Sequence, residues 1–195
     1  MTIKIPSDCE KINVLFSGGM DSSILLFLLQ KQLYEENRTI PILSYTMPTA
    51  DAVNNVKRVQ EWFTMKGINF SNKKLYKNYN IRELVENILL TEGGYVYSGC
   101  NKVLTDEFTP TIYIKNDTPP FRGPPYNDKH IRPFIDMDKK EIMQLYVTEN
   151  VLDLLKLTRS CGIKNKDGVE KCGGCYFCME RQWAANLLNI NDVLI

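Results

Sequence analysis

The sequence predicts an α/β protein built on a parallel sheet, and three observations carry that reading. Short apolar runs alternate with longer segments of helical periodicity between residues 12 and 98. The first junction is a Ser-Gly-Gly turn, and glycine closes later helical segments at Gly67 and at Gly93-Gly94. Elements of these lengths in alternation bury a parallel sheet between layers of helix.

Ile12 to Phe16 (INVLF) reads as a first strand, and Asp21 to Leu33, apolar on nearly every side, as a buried helix. Ile40 to Tyr45 predicts the second strand. Val53, Val56, Val59 and Phe63 recur at helical spacing within Asp51 to Lys66, and Gly67 supplies the stop. Ile68 to Phe70 is the candidate third strand. Ile81, Leu84, Val85, Ile88 and Leu89 mark the next helix, and Tyr95 to Ser98 the fourth strand. Thr109 to Pro133, with its proline pairs, reads as a long ordered loop or lid. Asp138 with Glu141 three residues on predicts a capped helix start, and Tyr176 to Leu188 a final helix.

At 195 residues and 44% hydrophobic, the chain can bury one substantial core. We expect residues 1–157 to form the α/β domain and 158–195 a metal-binding segment with a C-terminal helix, packed as one unit. Lysine and arginine total 24 against 23 acidic residues, which argues against a nucleic-acid partner and for a small-molecule substrate. No stretch approaches the roughly 18 apolar residues of a membrane span, and no leader-like segment opens the chain, so a soluble, cytoplasmic protein is expected.

Ser17-Gly18-Gly19-Met20-Asp21-Ser22 lies between a predicted strand and a predicted helix. The backbone N–H groups there meet the positive end of a helix dipole, a setting that binds phosphate. The glycines permit close backbone approach, Ser17 and Ser22 add hydroxyls, and Asp21 could hold Mg²⁺ or cap the helix. No Gly-x-x-x-x-Gly-Lys-Ser/Thr sequence occurs, so a Walker-type site is excluded. The bland alternative is a strand turning into a helix through Gly-Gly.

Cys161, Cys172, Cys175 and Cys178 have the spacing C-x₁₀-C-x₂-C-x₂-C. Four thiolates so placed suit a tetrahedral Zn²⁺, with an iron-sulfur cluster as the rival. A redox pair would leave two of the four without a role. His130, the only histidine, is expected to be a solvated loop residue with no role, and Cys9 a bystander. Cys100 falls at the end of a predicted strand near the expected active-site mouth.

The hexapeptide in its strand-turn-helix context resembles the PP-loop signature of the ATP pyrophosphatases. With the cysteine cluster, the chain is similar to the 7-cyano-7-deazaguanine synthase family. Arg132 to Ile142, Thr158-Arg159-Ser160-Cys161 and Cys172 to Arg181 match its stretches in order. The resemblance implies ATP, Mg²⁺ and Zn²⁺ as cofactors. It implies a phosphate cradle at Ser17, Gly18, Gly19, Met20, Asp21 and Ser22, and adenine against Ser44, Tyr45, Thr46 and Met47 through backbone groups. Lys139 becomes a phosphate contact, with a solvated first-turn lysine as its plain alternative, and Asp21 and Lys139 are the catalytic candidates. Arg181 would brace the metal loop. Substrate would meet Gly99, Cys100, Asn101 and Lys102, although the family's arginine is replaced in that loop.

The implied reaction adenylates 7-carboxy-7-deazaguanine and aminates it with ammonia to the nitrile, releasing AMP and pyrophosphate. A homodimer is expected because relatives are often dimers. Two rivals stand beside this reading: a PP-loop tRNA sulfurtransferase with an iron-sulfur or thiol site, and a non-catalytic zinc-binding interaction module.

Overall fold

The computed structural model describes residues 1–47, 50–68, 70–75, 80–102, 125–161 and 172–191. Five strands form one parallel sheet: β1 (Ile12–Leu15), β2 (Ile42–Thr46), β3 (Ser71–Lys74), β4 (Tyr95–Ser98) and β5 (His130–Ile131). Their order is β3-β2-β1-β4-β5. The chain steps outward from β1 through β2 to β3 and then returns to pair β4 with β1, so the topology reverses at β1 and β4. Ligands of open parallel sheets bind beyond the carboxyl ends of the strands at such a reversal. Residues 17–22 leave β1 there, and residues 99–102 leave β4 beside them.

Among the described residues there are six helices: α1 (Met20–Glu35), α2 (Ala50–Met65), α3 (Ile81–Glu92), α4 (Lys139–Thr148), α5 (Leu152–Leu157) and α6 (Tyr176–Leu187). α1 buries Ile24, Leu25, Leu26, Leu28, Leu29 and Leu33, as its unbroken apolar character requires. These side chains join Ile12, Val14 and Phe16 of the sheet side, Val59 and Phe63 of α2, and Ile142 and Tyr146 of α4 in the main core. A smaller core lies under α3, where Leu84, Val85 and Ile88 meet Tyr45 and Val96. α4 begins with the predicted capping box, Asp138 accepting from the Glu141 amide and Glu141 from the Asp138 amide.

Several expectations shift. The third strand is Ser71–Lys74 and not Ile68 to Phe70. Ile68 and Phe70 pack on the core from the connecting segment, while the polar S-N-K-K sequence suits an edge strand, where lysine deters pairing with other chains. The proline-rich stretch ends in a short strand, because His130–Ile131 pairs with β4. Residues 109–124 of the expected lid lie outside the described residues. No helix among the described residues is long and apolar enough to cross a membrane.

Candidate functional site

The site begins with the turn from β1 into α1. Gly18 has φ +68°, and a Cβ there would stand 2.6 Å from the Asn55 carbonyl carbon, so only glycine lets α2 press so close. Ser17 and Ser22 hydroxyls lie 3.2 Å apart, and Ser22 Oγ also accepts from the Ser17 amide at 3.3 Å. Gly19 is the N-cap of α1 with no side-chain bond, so Asp21 is a first-turn residue and not the cap. Among the described residues, no protein acceptor takes the backbone N–H of Gly18, Met20, Asp21 or Ser22. These groups carry the positive end of the helix dipole and match an anion. Met20 offers only backbone, since its side chain is in the core and its carbonyl accepts from Tyr146 Oη at 2.6 Å.

Lys139 opens α4 and is carried to the turn. Its Nζ donates to Asp21 Oδ1 at 2.8 Å and Oδ2 at 2.7 Å, and lies 3.5 Å from Glu180 Oε2. Its side chain is 3% exposed, so it is a buried ammonium and not the solvated lysine of the plain reading. Glu180, on α6, is equally enclosed. Asn101 Nδ2 donates to its Oε1 at 3.1 Å, and Tyr176 Oη lies 3.4 Å away. Burial pushes the Glu180 carboxyl up, and the adjacent Lys139 ammonium opposes that shift.

The loop after β4 fits between these groups. A Cβ on Gly99 would fall 2.8 Å from the Asp21 carbonyl carbon, so this glycine permits contact with the start of α1. Cys100 is half-buried, its Sγ 3.5 Å from Ser98 Oγ. Asn101 turns inward to Glu180, and the exposed Lys102 is anchored by its amide on the Met137 carbonyl at 2.8 Å.

On the other flank, the side chains at the end of β2 are engaged within the protein. Tyr45 Oη donates to Asn13 Oδ1, Ser44 Oγ to Asn72 Oδ1, and Thr46 Oγ1 lies 3.0 Å from the Phe16 carbonyl. Met47, half-buried, follows the strand.

The four cysteine sulfurs all lie within 4.8 Å of one another. Cys161 and Cys172 are 3.6 Å apart, Cys172 and Cys178 3.9 Å, and Cys161 and Cys175 4.0 Å. Zn–S bonds of about 2.3 Å give a tetrahedron with edges of about 3.8 Å, so the set fits one tetrahedral ion. A multi-iron cluster sits between its thiolates and holds them farther apart. Burial pushes the Cys172 and Cys178 thiols up, and a bound cation would reverse this by stabilising the thiolates. Amides of Cys172 and Cys175 point at Cys161 and Cys172 sulfurs, at 3.5 and 3.3 Å.

Arg181 joins the two parts. Fully buried, it donates from Nη1 to the Thr158 carbonyl at 3.0 Å and from Nη2 to the Leu155 carbonyl at 2.9 Å, the backbone bracing expected of it. The next amide, that of Arg159, donates to the Gly18 carbonyl at 3.3 Å. Cysteine segment and phosphate turn therefore touch through one stretch of backbone.

His130 is not solvated. It is 4% exposed, its Nε2 lies 2.8 Å from Ser98 Oγ, and Tyr126 stacks on its ring. Burial, with Arg132 nearby, pulls its pKa down to about 4. Sequence reasoning also passed over Glu180 and the backbone of Asn55. Glu180 had one signal, its place beside Arg181 in the cysteine motif, but nothing in the sequence said that it would turn inward.

No protein-family model and no curated protein matches the chain. Solved structures similar to it include the U34-tRNA thiolase NcsA from Methanococcus maripaludis with its 4Fe-4S cluster, at 12% identity and TM-score 0.49. That match covers 92% of this chain and 64% of the thiolase, so the chain spans less than two thirds of that protein's length. An NH3-dependent NAD synthetase from Campylobacter jejuni matches at 16% identity and TM-score 0.46, over 77% of this chain and 69% of the other. An FMN adenylyltransferase from Candida glabrata matches at 14% identity and TM-score 0.43, over 74% and 48%.

The chain's own strand order and strand-turn-helix junction make it a parallel α/β, PP-loop-like sheet, followed by a C-terminal cysteine cluster capable of holding a metal. One expectation is corrected. Near-neutral charge argued against a nucleic-acid partner, but net charge by itself excludes none. The physical reason is that nucleic acid is held by local lysine and arginine contacts to phosphates, which a chain's net charge does not count.

Proposed function

We propose that the chain is an ATP pyrophosphatase that activates a substrate oxygen by adenylation, releasing pyrophosphate and then AMP. The observation that carries this reading is the set of uncommitted amides at Gly18, Met20, Asp21 and Ser22, placed at the reversal point of the sheet with the buried Lys139 ammonium alongside. The turn and Lys139 would hold the departing phosphates, and Asp21 is the carboxylate that could take Mg²⁺. Magnesium would supply charge neutralisation on the leaving group. The protein contributes positioning and preset dipoles, which act where charge builds.

Two acceptors fit this chemistry. The resemblance to the 7-cyano-7-deazaguanine synthases favours the carboxylate of 7-carboxy-7-deazaguanine, with ammonia as nucleophile and zinc in the cysteine site. The short sulfur-sulfur distances support zinc in particular. The second acceptor is an oxygen of a tRNA base, replaced by sulfur. Cys100 supports it, because a thiol stands where the deazaguanine family has a different loop and adjoins Gly99, which packs against Asp21.

The test incubates the full chain with ATP and Mg²⁺, in one arm with 7-carboxy-7-deazaguanine and ammonium, in the other with tRNA and a sulfide donor. AMP and pyrophosphate formed with the nitrile support the first acceptor; the same nucleotides with thiolated tRNA support the second. ADP formation removes the adenylation reading in favour of cleavage at the γ-phosphate, and no turnover in either arm leaves a metal-binding interaction module.

A further inference from the structure

Lys139 has more counter-charge than one ammonium requires. Both Asp21 oxygens accept from it at 2.8 and 2.7 Å, and a second carboxylate, Glu180, waits at 3.5 Å. The two acids differ in their surroundings. Asp21 is the outward member, its side chain 19% exposed in the phosphate turn, whereas Glu180 is 1% exposed. Asn101 and Tyr176 address Glu180 Oε1, which leaves Oε2 as the atom turned to Lys139.

A buried ammonium stripped of its partner is strongly disfavoured. If Asp21 is drawn to a magnesium ion on the nucleotide, Lys139 loses two hydrogen bonds at the moment its charge is needed. An ammonium has three hydrogens, so it can keep one on Glu180 and turn the others to phosphate. We propose that Glu180 is a positioning residue for the nucleotide site, the standing counter-ion that keeps Lys139 in place while Asp21 serves magnesium. This rests on the nucleotide reading above. It also gives α6 a part in the phosphate site, since Glu180 lies two residues beyond Cys178.

The experiment titrates the zinc-loaded full chain with α,β-methylene-ATP, with and without Mg²⁺, and follows melting of the nucleotide-free protein. Glu180→Gln keeps shape and neutral hydrogen bonds while removing the charge. We expect it to retain its metal, to melt close to wild type, and to bind the magnesium nucleotide about tenfold more weakly, with little change for the magnesium-free form. Glu180→Asp, which restores the charge on a shorter arm, should recover part of the loss. In a Lys139→Met background, Glu180→Gln should have no further magnesium-specific effect, and that cycle reads the coupling even if the single variant is less stable.

Equal affinities for wild type and Glu180→Gln overturn the proposal. So does a loss that is the same with and without magnesium, which marks Glu180 as merely structural. Failure of the wild type to bind the magnesium nucleotide overturns the nucleotide reading itself, and this proposal with it.

Discussion

Gly18 and Gly173 share a backbone conformation, with φ +68° and +70°, and differ in almost everything around them. A Cβ on Gly18 would meet Asn55 and Val56 backbone at 2.6 and 2.7 Å, while one on Gly173 would find nothing within 4 Å among the described residues. The first turn is walled by α2 on one flank and by the Arg159 backbone on the other. Around the second, the described residues leave open space. The proposed nucleotide turn is thus shaped by the backbone packed against it, whereas the described residues put no such wall around the cysteine turn.

Substituting the two glycines alike should expose the contrast most sharply at Gly18. Gly18→Ala meets both a disfavoured φ and a backbone collision, for a stability loss of about 3 kcal/mol or more. Pyrophosphate release should fall by about a hundredfold or more, since the amides would no longer converge. A thermal melt beside a pyrophosphate assay checks both; wild-type values would show that α2 can yield.

Removing the ion should be the next largest effect and should act on the other region. Chelation, or Cys175→Ser, takes away the shared centre of four sulfurs, and we expect a loss of about 3 kcal/mol, or roughly 10 °C in Tm. Metal analysis together with melting, and recovery on adding Zn²⁺ to the chelated wild type, would establish it. Stoichiometric iron and labile sulfide would instead favour the cluster rival.

Acid separates the regions again. His130 is buried with a pKa of about 4, against 6.5 for the ordinary side chain. The unfolded chain takes up its proton first, so stability is intact above pH 6.5 and declines as pH falls toward 4, by about 2–3 kcal/mol in total. Denaturant titrations across that range should slope for wild type and flatten for His130→Gln, once both are corrected for metal release. Equal slopes would place the acid sensitivity in the thiolates alone.

The smallest effect belongs to Gly173→Ala. With open space around it, only the positive φ resists, for about 1 kcal/mol. Metal content should be unchanged, and a loss as large as that of Gly18→Ala would erase the distinction between the turns.

How much of this was legible in the sequence follows the range of the forces involved. The turn at Ser17–Ser22, the Asp138 capping box and the cysteine spacing are local patterns, and each appears where its residues predict. β3 was misplaced because an edge strand buries little and carries no apolar signature. β5, with two residues, and α5, with six, are too short to repeat a pattern that could announce them. His130 read as a solvated residue and Glu180 was passed over because their partners are distant in the chain. Asn101 lies 79 positions from Glu180, and Ser98 lies 32 from His130. Polar residues turned inward by remote partners leave no trace in their own neighbourhood.

The peptide group joining Thr158 to Arg159 presents its oxygen to a guanidinium of α6 and its hydrogen to the carbonyl of Gly18. A peptide is a stiff plate that tilts as a whole. Slackening at the sulfur end is therefore expected to tilt the Gly18 contact as well, as one plank rocks at both of its rests.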